Sequence, residues 1–213
     1  MRGIALLALV ALAGGCESKD DAKVDGVLIP QADGFEEAPD APTIAADVNT
    51  IDAATVPAGA KVVRLAIGRK VKWSQVQALI HKVEAAGARP VVLVGSWHHV
   101  KAMRIEDPWP SGPVQALKVM AYVDGKACVQ PPDAIEAKCV QSGTKDYIER
   151  AYLRELVREQ VRMFEMPRVE VELPQSLAWV DVVRTIDGAR TCCQKTKVLV
   201  RLKSSSGASA ESQ

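Results

Sequence analysis

Two stretches of this chain repeat one apolar pattern, and the repeat limits the folds open to the chain. Residues 63–94 align with residues 169–200 without a gap, and the matched positions are mostly apolar. They pair Val63 with Val169, Trp73 with Trp179, Val76 with Val182, Ile80 with Ile186, and 92–94 with 198–200. Each copy reads as a strand, a helix and a strand. The sequence therefore predicts an α+β fold with strand-helix-strand repeats and helices packed on a small mixed sheet.

The elements within each repeat follow from local spacing. Strands are predicted at 62–67 and 168–173, each followed by a tryptophan and by apolar residues at helical spacing. Gly87 is a typical C-terminal stop for the first helix. Packing alone explains why the repeat keeps core positions, and the sequence leaves open whether the two copies share one sheet.

The N-terminal residues read MRGIALLALVALAGGC and predict export. The apolar run at 4–13 is too short to span a bilayer core of about 30 Å as a helix. The small residues before Cys16 resemble the bacterial lipoprotein cleavage motif, although Ala13 stands where that motif usually has leucine. We therefore interpret 1–15 as a signal peptide and Cys16 as the site of lipidation. The expected location faces the periplasm, anchored to the inner or the outer membrane.

A change in composition predicts a domain boundary near residue 60. Residues 17–60 contain ten Asp and Glu but only two Lys, and they show no sustained apolar periodicity. Such a stretch is expected to bury too little apolar surface to offset its ordering entropy. We interpret 16–60 as a flexible acidic tether, 61–110 as the first strand-helix-strand unit, 115–203 as a second module and 204–213 as a disordered tail.

The second module begins with a hairpin and a long helix. KVMAYVDGKACVQ alternates about Asp124-Gly125, a dipeptide that favours a two-residue type I′ turn. A helix is predicted over 145–164 with Thr144 as its cap. Its expected buried stripe consists of Tyr152, Leu153, Leu156, Val157, Val161 and Phe164.

The order hairpin, helix, strand, helix, strand, together with WVDVVRTIDGA before a closing strand, resembles the periplasmic domain of the ExbD/TolR family of biopolymer transport proteins. KWSQVQALIHKVEAAGARPVVLV resembles the closing helix and strand of the same domain. Members of that family carry a transmembrane helix with an aspartate used in proton-driven work, and their periplasmic domains dimerise. This chain shows no counterpart of that helix. The resemblance thus implies a non-enzymatic module, accessory to an energy-transducing system, with an envelope protein or peptidoglycan as partner, a possible homodimer, no nucleic acid and no cofactor.

Four cysteines besides Cys16 predict disulfides in an oxidising compartment. They are Cys128, Cys139, Cys192 and Cys193. A bond between Cys128 and Cys139 is favoured, while pairings from that loop to the other two cysteines stay open. A zinc site is disfavoured because none of the usual CxxC spacings occurs. A redox role for the adjacent cysteines is an alternative hypothesis.

A basic stripe and two aromatic or histidine-rich loops are the other candidate sites. Arg150, Arg154, Arg158 and Arg162 recur every fourth residue and could hold an anionic partner, or could form a solvated helix face. His98 and His99 could serve an envelope hydrolase, although no nucleophile elbow or HExxH motif accompanies them. Trp97 and Trp109 could build a docking ridge or could pack locally in a stiff linker. The sequence therefore predicts no catalytic residue and no metal ligand.

Overall fold

The computed structural model describes residues 22–33, 36–96, 99–141, 147–190, 193 and 196–203. These residues form two lobes, and we call 43–103 the N-terminal lobe and 117–202 the C-terminal lobe. A small hairpin at the N-terminus, β1 (Lys23–Val24) and β2 (Val27–Leu28), precedes both. The described part of the chain contains three α-helices and sheets of two, four and five strands, so the α+β prediction is confirmed.

The N-terminal lobe is built on a four-stranded sheet. Its elements are β3 (Thr43–Ala46), a 3-10 turn (Ile51–Ala53), β4 (Val62–Ile67), α1 (Trp73–Ala85), β5 (Arg89–Ser96) and β6 (His99–Met103). The strand order is β3-β4-β5-β6, with β6 antiparallel to β5 and the other pairs parallel.

The C-terminal lobe has a separate five-stranded sheet. Its elements are β7 (Leu117–Ala121), β8 (Lys126–Gln130), β9 (Lys138–Gln141), α2 (Arg150–Phe164), β10 (Arg168–Glu172), α3 (Trp179–Arg190) and β11 (Leu199–Leu202). The strand order is β11-β10-β7-β8-β9. The two repeats therefore lie in different sheets.

The duplication extends further than the sequence repeat suggested. In each lobe a central strand pairs in parallel with two neighbours, β4 with β3 and β5, and β10 with β7 and β11. The 3-10 turn lies against α1, as the much longer α2 lies against α3. The N-terminal lobe thus shares a core of three parallel strands with the C-terminal lobe, lacks β8, β9 and the long helix, and adds the antiparallel strand β6 beside β5.

The prediction of a flexible tether over 16–60 is wrong for the described residues from 22 onward. Ile29, Ile44, Ala46 and Ile51 are buried, and β3 completes the four-stranded sheet. Apolar residues are sparse in this stretch, but the neighbouring strand β4 supplies both hydrogen bonds and an apolar surface. Tertiary contacts therefore order a segment whose own composition favours disorder.

The gap-free alignment of the repeats is wrong after the second helix. Val62 stands opposite Arg89 in the first lobe, whereas the equivalent Arg168 stands opposite Leu199. A constant spacing would have placed Lys195 there, four positions earlier. A longer loop after α3 accounts for the shift, and the apparent match of 92–94 with 198–200 reflects the shared composition of buried strands.

The two lobes join through the segments that precede α1 and α3. Trp73 and Trp179 stack with their ring centroids 5.9 Å apart and their planes 9° apart. Backbone hydrogen bonds cross the joint in equivalent pairs: Trp73 N to Leu177 O (2.8 Å) with Trp179 N to Val71 O (2.7 Å), and Ser74 N to Gln175 O (3.0 Å) with Val180 N to Arg69 O (3.0 Å). A two-fold rotation that exchanges the two lobes would also exchange the two hydrogen bonds of each pair. The joint is therefore a local two-fold contact within one chain.

Buried residues of both lobes form one hydrophobic core across this joint. The N-terminal hairpin covers the opposite face of the four-stranded sheet, where Ile29, Ala66 and Leu93 make a second, smaller cluster. The N-terminal segment is consequently a layer of the fold.

Two local predictions in the C-terminal lobe need correction. The hairpin is confirmed, but its loop has three residues, since Tyr122 N bonds Lys126 O and only Gly125 (φ 79°) has a positive φ. Helix α2 begins at Arg150 instead of 145, because 147–149 are not helical, and the proposed Thr144 cap lies outside the described residues.

The buried stripe of α2 is narrower than predicted. Leu153, Leu156, Val157 and Val161 are buried as expected, and the polar Gln160 is buried beside them. Tyr152 and Phe164, however, are 56% and 43% exposed. These two side chains flank the stripe and do not lie in it. No helix among the described residues is both long and apolar enough to cross a membrane.

Candidate functional site

A groove of about 690 Å³ lies at the meeting of the two lobes. One wall is the side of α1 that carries Gln77, Ile80 and His81, and the other is the connecting segment 104–108. Trp73, Val92, Met103, Val171, Leu173 and Leu202 give it apolar surface from both lobes. Concave sites of this size are typical of ligand and peptide binding. Because both lobes line the groove, it exists only when they are joined.

Several charged side chains around the groove form ion pairs. Arg104 lies 2.8 Å from Glu36, and Lys203 lies 2.6 Å from Glu172. His81, Glu84 and Arg89 are exposed at the end of the groove where β5 begins. The groove thus combines apolar side chains from both lobes with charged groups of both signs.

The connecting segment is fixed by Asp107. Its backbone N–H donates to Val200 O (2.8 Å), and its carboxylate accepts from Val200 N (3.0 Å), so it covers the open edge of β11. Arg190 on α3 reaches the same carboxylate at 3.1 Å. This carboxylate is almost fully buried and keeps one wall of the groove in place.

Trp109 packs locally. The guanidinium of Arg201, on β11, lies 4.5 Å from the centroid of the Trp109 ring. Trp97 and His98 lie outside the described residues. His99 is exposed on β6 opposite Ser96. Within the described ranges, no group of three or more histidine, cysteine or acidic side chains could hold a metal ion.

Arg150 and Arg154 bind acidic groups of their own chain. Arg150 Nη1 lies 2.9 Å from Asp187 Oδ2 and 3.2 Å from Asp33 Oδ1. Arg154 Nη2 lies 2.6 Å from Asp33 Oδ2. Asp187 is fully buried, and Asp33 belongs to the N-terminal segment. Half of the predicted basic stripe therefore attaches that segment to α2 and α3.

The other half of the stripe lies nearer the C-terminal end of α2. Arg158 forms an ion pair with Glu155, and Arg162 is exposed. An anionic partner at these two residues remains a prediction.

Cys128 and Cys139 form a disulfide that links β8 to β9, the pairing that the sequence favoured. Cys193 is half-buried and packs against the core, and Cys192 lies outside the described residues. The disulfide closes a short loop that ends in the edge strand β9.

We expect reduction of this disulfide to lower the free energy of unfolding by about 3 kcal/mol, from the loop-closure entropy of roughly a dozen residues. Urea unfolding of Cys128→Ser/Cys139→Ser, compared with the parent protein, measures the loss. A matched Cys192→Ser/Cys193→Ser variant serves as the control. Equal stability of the Cys128/Cys139 variant and the parent would contradict a structural role for the bond.

The carboxyl group of Asp181 near the start of α3 has an unusual environment. Burial raises its pKa above 3.8, against the opposing effects of the Ile148 N–H (3.2 Å) and Arg184 (3.2 Å). Because the folded-state pKa lies above the unfolded one, the folded state favours the neutral acid. The stabilising contribution is complete below the unfolded pKa and is lost as the pH rises through the folded pKa.

Asp181→Asn imitates the neutral acid and keeps an oxygen for the Ile148 N–H. We expect the variant to have a higher Tm than the parent at pH 7, and the difference to disappear as the pH falls below about 4. Thermal unfolding of both proteins across this pH range measures the difference. If Asp181→Asn is instead less stable than the parent at pH 7 and equal to it at pH 4, the ion pair with Arg184 outweighs the cost of burying the charge.

No family model, no curated protein and no solved structure matches this chain.

The groove has no local sequence signal. Glu36 lies within 16–60, the stretch that the sequence predicted to be a tether. Asp107 and Arg190 are far apart in the sequence, so no motif connects them. Trp73 and Trp179 occupy equivalent positions in the sequence repeat, which indicates two related units. The repeat does not indicate that the two units contact each other at these residues.

Proposed function

We propose that this protein is a non-enzymatic envelope lipoprotein, anchored through a lipid on Cys16, whose paired lobes hold a segment of an envelope partner in the groove between them. The observation that carries the proposal is the groove itself, which two copies of one unit create at their joint. Its mixture of apolar side chains and charged groups of both signs suits a peptide segment or the peptide part of peptidoglycan.

The charged groups in the groove support a role in binding. Asp107, Arg104 and Glu36 hold the walls through ion pairs and backbone hydrogen bonds. Groups engaged in this way stabilise the shape of a binding site. The likeness to ExbD/TolR periplasmic modules is consistent with the same role, as an accessory to an energy-transducing transport system.

Crosslinking in intact envelopes tests the proposal. We expect the full-length protein to capture an envelope protein or peptidoglycan, and Cys16→Ala to lose both membrane association and the crosslinked product. Mass spectrometry of the mature N-terminus tests the lipid independently. Release of an unlipidated protein with Cys16 intact would contradict the anchor, and capture of nothing by a properly anchored protein would contradict the binding role.

The two-fold joint also bears on the oligomeric state. In a symmetric dimer the same surface of each subunit faces its partner, and here each lobe already covers that surface of the other. We therefore expect the chain, 22.9 kDa before processing, to be a monomer. Sedimentation equilibrium of the protein without its signal peptide measures the mass, and a stable dimer would require a second interface elsewhere.

A further inference from the structure

The first residue that the structure describes is fixed to the end of β5. Ala22 packs on Gly95 so closely that a Cβ on Gly95 would lie 2.7 Å from the Cβ of Ala22. Ala22 O also accepts a hydrogen bond from Ile29 N at 3.1 Å. The position of Ala22 on the four-stranded sheet is therefore determined.

Only a short stretch of chain separates Ala22 from Cys16. Residues 17–21 lie between them. In any conformation, six residue steps reach at most about 22 Å, since an extended chain advances at most about 3.6 Å per residue. If Cys16 carries a lipid, Ala22 stays within that distance of the membrane surface.

The sheet has two different ends. Because β3, β4 and β5 are parallel, their carboxyl ends lie at one edge, which also carries Ala22 and the start of β6. The amino end of β5, at Arg89, and the C-terminal end of α1, at Glu84, lie at the opposite edge, next to the groove. The eight residues of β5 separate the two edges by about 23 Å.

These lengths make an inverted arrangement unfavourable. With the Arg89 edge toward the lipid, Ala22, which packs on Gly95, would be six residue steps of β5, about 20 Å, from the membrane before any side chain is counted. The chain between Cys16 and Ala22 would then have to be almost fully stretched, at a cost in conformational entropy, because its reach is about 22 Å.

We propose that the carboxyl edge of the four-stranded sheet faces the membrane, and that the Glu84 and Arg89 end of the groove points away from it. This inference rests on the proposed lipid at Cys16. The partner of the carboxyl edge is the lipid headgroup surface. That edge carries exposed side chains of different kinds, Lys23, Lys70, Val48 and Val100, so the lipid attaches the protein and the edge determines its orientation.

Distance-dependent quenching on membranes tests the orientation. Lipidated Val100→Cys and Glu84→Cys proteins are prepared in a Cys192→Ser/Cys193→Ser background with the Cys128–Cys139 disulfide closed, and a fluorophore is attached to each. Vesicles of phosphatidylethanolamine and phosphatidylglycerol carry a nitroxide on a fraction of their headgroups. We expect quenching at position 100 to be several-fold stronger than at position 84.

An extended-tether variant is the matched control. About 20 Gly/Ser residues inserted after Ser18 add a coil of roughly 25 Å mean span, which should abolish the difference between the two positions. Equal quenching at both positions without the insertion, or stronger quenching at 84, would overturn the orientation. Failure of the lipidated protein to form, or its absence from vesicles, would instead contradict the proposed anchor, so the two failures are distinguishable.

Discussion

Trp179→Ala is expected to lower the free energy of unfolding by about 3–5 kcal/mol, the usual cost of removing a fully buried aromatic side chain. Trp179 is fully buried and stacks on Trp73, so the change empties the core at the joint between the lobes. The loss would be a large part of the stability of a typical domain, about 5–15 kcal/mol. Urea unfolding followed by far-UV circular dichroism measures it.

Matched variants separate the stack from simple burial. Trp179→Phe should cost less than Trp179→Ala, because it keeps an aromatic ring in place. A double-mutant cycle with Trp73→Ala should give a coupling energy of about 0.5–1.5 kcal/mol, the range for an aromatic pair. Additive losses for the two tryptophans would show that the stack contributes nothing beyond burial, and a small loss for Trp179→Ala would show that the lobes do not depend on this joint.

Arg150→Met is expected to cost about 2–3 kcal/mol, less than the loss of a fully buried ion pair, because Arg150 is 30% exposed and Asp187 keeps the Asp33 N–H and Arg154 as partners. The change removes the guanidinium that lies 2.9 Å from Asp187, whose side chain is fully buried. It also removes a contact with Asp33 and so weakens the attachment of the N-terminal segment. Chemical unfolding measures the overall loss, and hydrogen exchange at Ile29 and Ala32 reports local release of that segment.

Two further variants distinguish this effect from an ordinary loss of packing. Arg162→Met removes an exposed arginine from the same helix and should leave the stability nearly unchanged. Asp187→Asn in the Arg150→Met background removes the buried charge and should recover much of the loss. If the double variant is no more stable than Arg150→Met, the cost did not come from the buried carboxylate.

Sequence patterns predicted the elements whose formation depends on local spacing. The helix after Trp73, the helix after Trp179, the β7–β8 hairpin and the strands around them are all found, because apolar periodicity and turn residues act over short distances. The α+β class could be predicted in the same way, and the Cys128–Cys139 disulfide was favoured among pairings that the sequence left open.

The features that could not be predicted depend on contacts between residues far apart in the sequence. Residues 43–46 form a strand because β4 lies beside them, and Asp33 is fixed because Arg150 and Arg154 come from a distant helix. The basic stripe predicted that an external anion binds there. Arg154 instead binds Asp33, which lies more than one hundred residues earlier in the chain. The groove needs both lobes, and no local pattern encodes it.

A short N-terminal connection changes the proposed mechanism. A long tether would let the lobes reach far into the periplasm, whereas an anchor close to the folded unit keeps the groove near the membrane. Under the proposed function, the partner segment must therefore come to the membrane-proximal zone to be held.

Photo-crosslinking from within the groove tests directly whether the groove binds an envelope partner. A photoreactive amino acid replaces Gln77 on the wall of the groove, and a matched protein carries it at Ile135, which is 97% exposed and does not line the groove. Both proteins keep Cys16 and are irradiated in intact envelopes. We expect a discrete crosslinked partner from position 77 and none, or only diffuse products, from position 135. The same partner from both positions, or from 135 alone, would contradict a role for the groove.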